Sequence, residues 1–163
     1  MMQPGSIRAA KPETFTVERR YDHPVSLVFW AFTNLEAKRI WYGGESTWEV
    51  SKHTLDFTVG GWEHWRGRPN AEAPWMTNDG LYLDILPDER IIHQYNMTMA
   101  DRLFTVSQQV LEFSTQGTGS HIKLTEQILF IDGVDHLEDR IGGTQGMLDN
   151  LDAYLNKIPE NVK

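Results

Sequence analysis

Glu126 is the residue whose surroundings most invite chemistry. It shares strand parity with Ile122, Leu124, Ile128 and Phe130, while Lys123, Thr125 and Gln127 hold the other parity. Its carboxylate is therefore predicted to point inward among apolar side chains. A carboxylate so placed must find hydrogen-bonding partners or rise in pKa, and it could orient a ligand or act as a general acid or base. The plainer alternative is a core Glu satisfied by a Tyr or Trp. Glu63 is the second candidate, within Gly61-Trp62-Glu63-His64-Trp65-Arg66-Gly67. Alternation turns inward either Glu63 with Trp65 or Trp62, His64 and Arg66, and cannot choose between them. Two inward carboxylates would suggest an acid and a base, although two carboxylates accepting from one Arg or His is the commoner arrangement. His93, Tyr95 and Met97 share a face with Ile91 and are candidate pocket walls. A lone His on such a face is more often a satisfied core residue. Glu126, Glu63 and His93 are thus the candidate catalytic groups, with Tyr95 completing an acid–base set.

Other chemistries find no support. His23, His53, His64, His93, His121 and His136 show no metal-ligand spacing, so no metal is expected. No nucleophile elbow, phosphate loop or dinucleotide fingerprint occurs, and no cofactor is expected. Cys is absent, which removes thiolate catalysis, disulfides and Cys-ligated zinc, and fits a reducing compartment. The net charge of -8, with no run of Lys or Arg, argues against nucleic acid and anionic membrane as partners. No stretch approaches the roughly 18 apolar residues a spanning helix needs, so no membrane insertion and a cytoplasmic location are expected.

The elements that must position these residues follow from periodicity. Residues 1–12 read as a flexible leader and 13–163 as a single domain. Phe15 to Tyr21 alternates as a first strand. Pro24 suits the first turn of a helix carrying Val25, Val28, Phe29 and Phe32. Asn34 can cap a second short helix that carries Leu35, Ile40 and Trp41 and is ended by Gly43 and Gly44. Strands are then predicted over 48–51, 54–59, 62–67, 81–86, 91–99, 103–113 and 122–131, an antiparallel pattern. Residues 68–79 read as a long loop in which Trp75 could form a lid, and Pro87 to Arg90 as a type I turn. Asp135 and Glu138 resemble a capping pair for a last helix, 135–158. Leu137, Ile141, Thr144, Leu148, Leu151, Leu155 and Ile158 form its stripe. Gly142, Gly143 and Gly146 loosen its first half and are expected to leave room against the sheet. The fold class is α+β, one curved antiparallel sheet of about seven strands around a long C-terminal helix, with two short helices after the first strand.

These features resemble the helix-grip fold of the START and Bet v 1-like (SRPBCC) superfamily, in the branch related to the C-terminal domain of the activator of Hsp90 ATPase. The resemblance covers about residues 13–157. It rests on Pro24-x-x-x-Val28-Phe29, Trp41-Tyr42-Gly43-Gly44, Asp56-Phe57-x-Val59-Gly60-Gly61, Tyr82-x-Asp84-Ile85-x-Pro87-x-Glu89-Arg90, Gly119-Ser120-x-Ile122-x-Leu124-Thr125-Glu126-Gln127 and the final helix. It implies a cavity between sheet and last helix that takes a hydrophobic, amphipathic or aromatic small molecule. It further implies Glu63 and Trp65 facing inward, Trp41 near the cavity mouth, and Thr144 and Leu148 beside the ligand. The expected ligand contacts are Trp41, Glu63, Trp65, His93, Tyr95, Glu126, Thr144 and Leu148. The superfamily spans carriers, receptors, polyketide cyclases and co-chaperone domains, so fold does not settle function. A binding domain is the first expectation. An enzyme of the cyclase, dehydratase or hydrolase type is the second, and a chaperone-interaction module the third. The outer sheet face is left open for a homodimer.

Overall fold

The computed structural model describes residues 8–43 and 47–159. Positions 1–7 of the expected leader and Gly44 of the expected helix stop lie outside the described residues. Where description begins, the leader reading is corrected. Strand β1 runs Ala10–Tyr21, and Ala10, Lys11 and Pro12 already pair with Ile131, Phe130 and Leu129. Pro12 is tolerated there because β1 is an edge strand.

Two short helices follow, α1 at Val25–Thr33 and α2 at Leu35–Trp41. The Asn34 side chain caps α2 by accepting from the Ala37 amide at 2.9 Å. The buried side of α2 is Ala37, Lys38 and Trp41, whereas Ile40 is 70% exposed. Then come β2 (Glu49–Leu55), β3 (Trp62–Arg68), β4 (Met76–Leu86), β5 (Arg90–Met99), β6 (Arg102–Gln116) and β7 (Gly119–Ile131). All seven strands form one antiparallel sheet in the order β1-β7-β6-β5-β4-β3-β2.

Several local expectations are corrected. The two strands predicted over 48–51 and 54–59 are a single strand, β2, bulged between Val50 and Lys52. Residues 56–61 turn instead, with the Thr58 amide donating to Asp56 and the Gly61 amide to Thr58. The long loop shortens to 69–75 because Met76 and Thr77 already pair with Gly67 and Arg66. Trp75 is no lid, since its ring lies under the guanidinium groups of Arg66 and Arg68, 3.8 and 4.3 Å from its centroid. Asp88 has φ 62° at the third position of the turn closed by Glu89 N to Leu86 O, a conformation of type II rather than type I. Ala100 and Asp101 are both left-handed, as the two-residue turn joining β5 to β6 requires.

Helix α3, Leu137–Lys157, lies on the inner sheet face and buries Thr144, Leu148, Leu151 and Leu155. These pack with Val28, Phe32 and Trp41 of the short helices and with Ile122 and Leu124 of β7. The Tyr21 hydroxyl fastens the helix to β1 by donating to the Leu148 carbonyl at 3.0 Å. The predicted capping pair does not form. His136 occupies the N-cap position without a side-chain cap, and the Asp135 carboxylate accepts from the His136 amide and from Arg140. The glycines do not make room against the sheet either. Gly142, Gly143 and Gly146 are exposed, and a Cβ on any of them would meet nothing within 4 Å. Gly143 alone of the three borders the cavity described next.

Candidate functional site

Between the inner face of β4, β5 and β6 and the first half of α3 lies a cavity of about 350 Å³. Its wall is mainly apolar, with Trp48, Trp65, Phe104 and Val134 and the methionines Met76, Met97, Met99 and Met147. The chain has six methionines, two of them at positions 1 and 2, so all four of the others face this one space. Thioether side chains adapt to ligand shape and pack well against aromatic rings. Phe104 reaches the wall through a register irregularity: Thr98 pairs with Leu103 and Met97 with Thr105, leaving Phe104 as the extra residue of β6. Larger depressions of about 480 and 720 Å³ occur on the outer face and beside the 86–90 turn, away from α3 and without the methionine-rich wall.

A few polar groups interrupt the apolar wall. Asn78 donates to the Tyr42 hydroxyl at 3.0 Å, and His93, Tyr95, Gln109, Asp135, Asp139 and Arg140 complete the lining. The His93 imidazole sits between the rings of Tyr82 and Tyr95. Burial, reinforced by the Lys38 charge, pushes its pKa down to about 4. At neutral pH the ring is therefore uncharged, able to donate from one nitrogen and accept at the other.

Beside the cavity stands a closed ionic cluster. Lys38 Nζ donates to Glu63 Oε2 at 2.7 Å, the Tyr82 hydroxyl donates to the same oxygen at 2.5 Å, and His53 Nε2 lies 2.8 Å from Oε1. The Lys38 ammonium also faces the Tyr42 ring at 4.5 Å. Burial acts to raise the Glu63 pKa, but Lys38, His53 and Tyr82 outweigh it and hold the carboxyl well below the usual carboxylate range. With Glu63 ionised, His53 must be the donor to it. The space against Glu63 is a crevice of about 10 Å³, room for a single water at most. Glu63 thus faces inward with Trp65 as expected, yet its oxygens are committed to protein partners.

Glu126 lies behind the cavity wall. It is fully buried, at 0% exposure, and does not line the cavity itself. Its Oε1 accepts from the Tyr95 hydroxyl and lies 3.8 Å from Arg140 Nη1, while its Oε2 has no hydrogen-bonding partner among the described residues. Burial drives the Glu126 pKa up to about 7, with Arg140 opposing and Asp135 assisting the rise. Arg140 ties this corner together, donating to Tyr95 Oη at 3.2 Å, Thr105 Oγ1 at 3.1 Å and Asp135 Oδ2 at 3.0 Å.

Of the expected ligand contacts, Trp65, His93, Tyr95 and Thr144 line the cavity. Trp41, Glu63, Glu126 and Leu148 do not. Trp41 is 1% exposed, its indole N–H donates to the Ala31 carbonyl, and its ring meets Phe32 and Tyr42 edge-on. Leu148 is completely buried in the core. The next residue along from Trp41, Tyr42, takes the cavity position instead. Lys38 and Arg140 went unforeseen. Each had a signal in helical spacing, since Lys38 stands three residues from both Leu35 and Trp41, and Arg140 four before Thr144 and seven before Met147. Among the described residues no cluster of His, Asp and Glu is arranged to hold a metal ion, and no helix is long and apolar enough to cross a membrane.

Comparison with known proteins adds a family. The model of the Activator of Hsp90 ATPase homolog 1-like protein family matches residues 22–156. An uncharacterised protein of Rhizobium leguminosarum is similar at 32% identity and TM-score 0.88, over 94% of this chain and 100% of that one. The Mll3558 protein of Rhizobium loti is similar at 33% identity and TM-score 0.82, over 90% and 99%. An AHSA1-like protein of Aeromonas hydrophila, at 17% identity and TM-score 0.67 over 88% and 92%, shares the fold. Comparison with curated proteins finds no match.

Proposed function

The chain belongs to the Activator of Hsp90 ATPase homolog 1-like family, and from that premise and the shape of its cavity we propose that it is a binding domain for an apolar, flat small molecule. One observation carries the reading. A space of about 350 Å³ between sheet and helix presents mainly apolar surface from aromatic rings and four methionines, with polar side chains of β4, β5, β6 and α3 set among them. That is the build of a small-molecule site, in which apolar contact supplies affinity and sparse polar groups fix orientation.

The ionic cluster favours binding over acid–base catalysis at Glu63. A carboxylate held far below its ordinary pKa and fully occupied by Lys38, His53 and Tyr82 has no proton to give near neutrality and no free oxygen to accept one. Its role is to fix α2 against β3 and so hold the cavity wall that Tyr42 and Trp65 supply.

Thermal unfolding in the presence of a panel of aromatic and lipophilic compounds tests the proposal. A ligand at 100 times its Kd stabilises by about 2.7 kcal/mol through mass action. At least one compound class is expected to raise the Tm by several degrees, and no rise across the panel would contradict the reading.

A further inference from the structure

We infer that Tyr95 and Glu126 form a proton-controlled contact for an uncharged carbonyl oxygen on the cavity ligand, Tyr95 donating to that oxygen when Glu126 carries a proton. The inference rests on the binding-domain reading and adds to it the polar group of the ligand and the means by which that group is recognised.

The positions around one oxygen decide what it offers the ligand. Tyr95 lines the cavity, and its hydroxyl, held by the lining residue Arg140, has one hydrogen to give and two lone pairs to fill. Arg140 Nη1 fills one lone pair from 3.2 Å. Glu126 Oε1 is its other protein partner. If Glu126 is ionised it can only accept, so the Tyr95 proton points back to it and the hydroxyl turns a lone pair toward the cavity. If Glu126 is protonated it can donate to Tyr95, which fills the second lone pair and leaves the hydroxyl hydrogen for the ligand. Protonation thus changes the group that the cavity offers from an acceptor to a donor.

The surroundings of Glu126 allow this exchange. Its Oε2 is buried without a partner among the described residues, and Arg140 stands 3.8 Å from Oε1, beyond the 2.7 Å hydrogen-bonded contact by which Lys38 holds Glu63 ionised. The groups packed against it are Phe15 from β1 and Gln109 from β6, both uncharged, Tyr95 from β5, Arg140 from α3, and Asp135 from the segment before α3. Tyr42, at the end of α2, also senses its charge. Among the described residues the cation beside it is Arg140, which is shared with Asp135 at 3.0 Å. Burial places the titration of Glu126 near neutrality, whereas His93, facing the same space, titrates near 4 and stays uncharged throughout that range. A carboxylate-bearing ligand fits less well, because Asp135 and Asp139 stand on the same lining as Arg140.

Calorimetric titration with 2-acetylnaphthalene, and with 2-ethylnaphthalene as the matched hydrocarbon, tests the inference at pH 6 and pH 8. The ketone is expected to bind up to about tenfold more weakly at pH 8, the limit for one proton linked to a group titrating near 7, and to take up a proton measurable by repeating the titration in buffers of different ionisation enthalpy. The hydrocarbon is expected to bind equally at both values. Tyr95→Phe is expected to abolish the pH dependence, and Glu126→Gln, whose amide donates to Tyr95 at every pH, to keep the tighter affinity throughout. Equal ketone affinity at both pH values, or a pH dependence that survives in Tyr95→Phe, overturns the inference while leaving the binding domain standing. Failure of both probes to bind overturns the two together.

Discussion

Lys38 and Glu63 meet 2.7 Å apart with side chains only 4% and 8% exposed, joining α2 to β3 beneath the cavity. Two opposite charges withdrawn from water to this degree are stable as a pair and costly apart. Lys38→Met, which leaves Glu63 ionised and short of its main partner, is expected to destabilise the domain by about 3–5 kcal/mol. The double variant Lys38→Met, Glu63→Gln is expected to recover much of that loss, as measured by urea unfolding. A single variant as stable as the parent would mean that the pair does not hold the two elements together.

The same carboxylate dictates an acid limit. Its folded-state pKa is depressed, so the stability it supplies is present above the ordinary carboxylate pKa and drains away as pH falls below it. Glu63→Gln is expected to lower stability at pH 7 but to flatten the decline between about pH 5 and pH 2 that the parent shows.

Glu126 works in the opposite sense. Its pKa is raised from 4.5 to about 7 by burial, so the folded state binds more protons than the unfolded state across that window, and stability falls as pH rises through it. The loss at pH 8 is on the order of 3 kcal/mol. Glu126→Gln keeps the shape without the charge, so its stability is expected to exceed the parent's at pH 8 and to approach it at pH 5. Parallel stability curves from pH 5 to pH 8 would show that Glu126 does not titrate there.

Helix α3 makes a simpler test of how the glycines act. Gly142 and Gly146 are exposed, and a Cβ there meets nothing. Replacing both by Ala is expected to stabilise by up to about 1 kcal/mol each through helix propensity alone, seen as a raised Tm with ligand affinity unchanged. A loss of stability would mean that the helix needs its glycines for packing.

Those glycines show where sequence reasoning stopped short. Gly142 and Gly146 stand two residues either side of Thr144, half a helical turn from the buried stripe, so their outward placement was legible in spacing that was instead read as loose packing. Strand alternation served Glu126 well because a period of two leaves few choices once Ile122, Leu124, Ile128 and Phe130 fix the inner face. The short α2 was harder. Seven residues barely define a stripe, and a Lys is read as solvent-facing unless its partner is known, but the partner, Glu63, lies 25 residues away on another element. The resemblance places Trp41 at the cavity, whereas one residue of rotation gives that place to Tyr42 and leaves the Trp in the core. The cavity itself is a non-local product of five elements, and only the clustering of four methionines into one space hints at it after the fact.

Those methionines also supply the most direct test of the account. Labelled at the methyl carbon, Met76, Met97, Met99 and Met147 report from the cavity wall. Titration with 2-ethylnaphthalene, followed by methyl NMR, is expected to shift several of these four signals along one saturable binding curve. Saturable binding that moves none of the four, or no binding at all, would contradict the claim that the space between sheet and α3 is a ligand site.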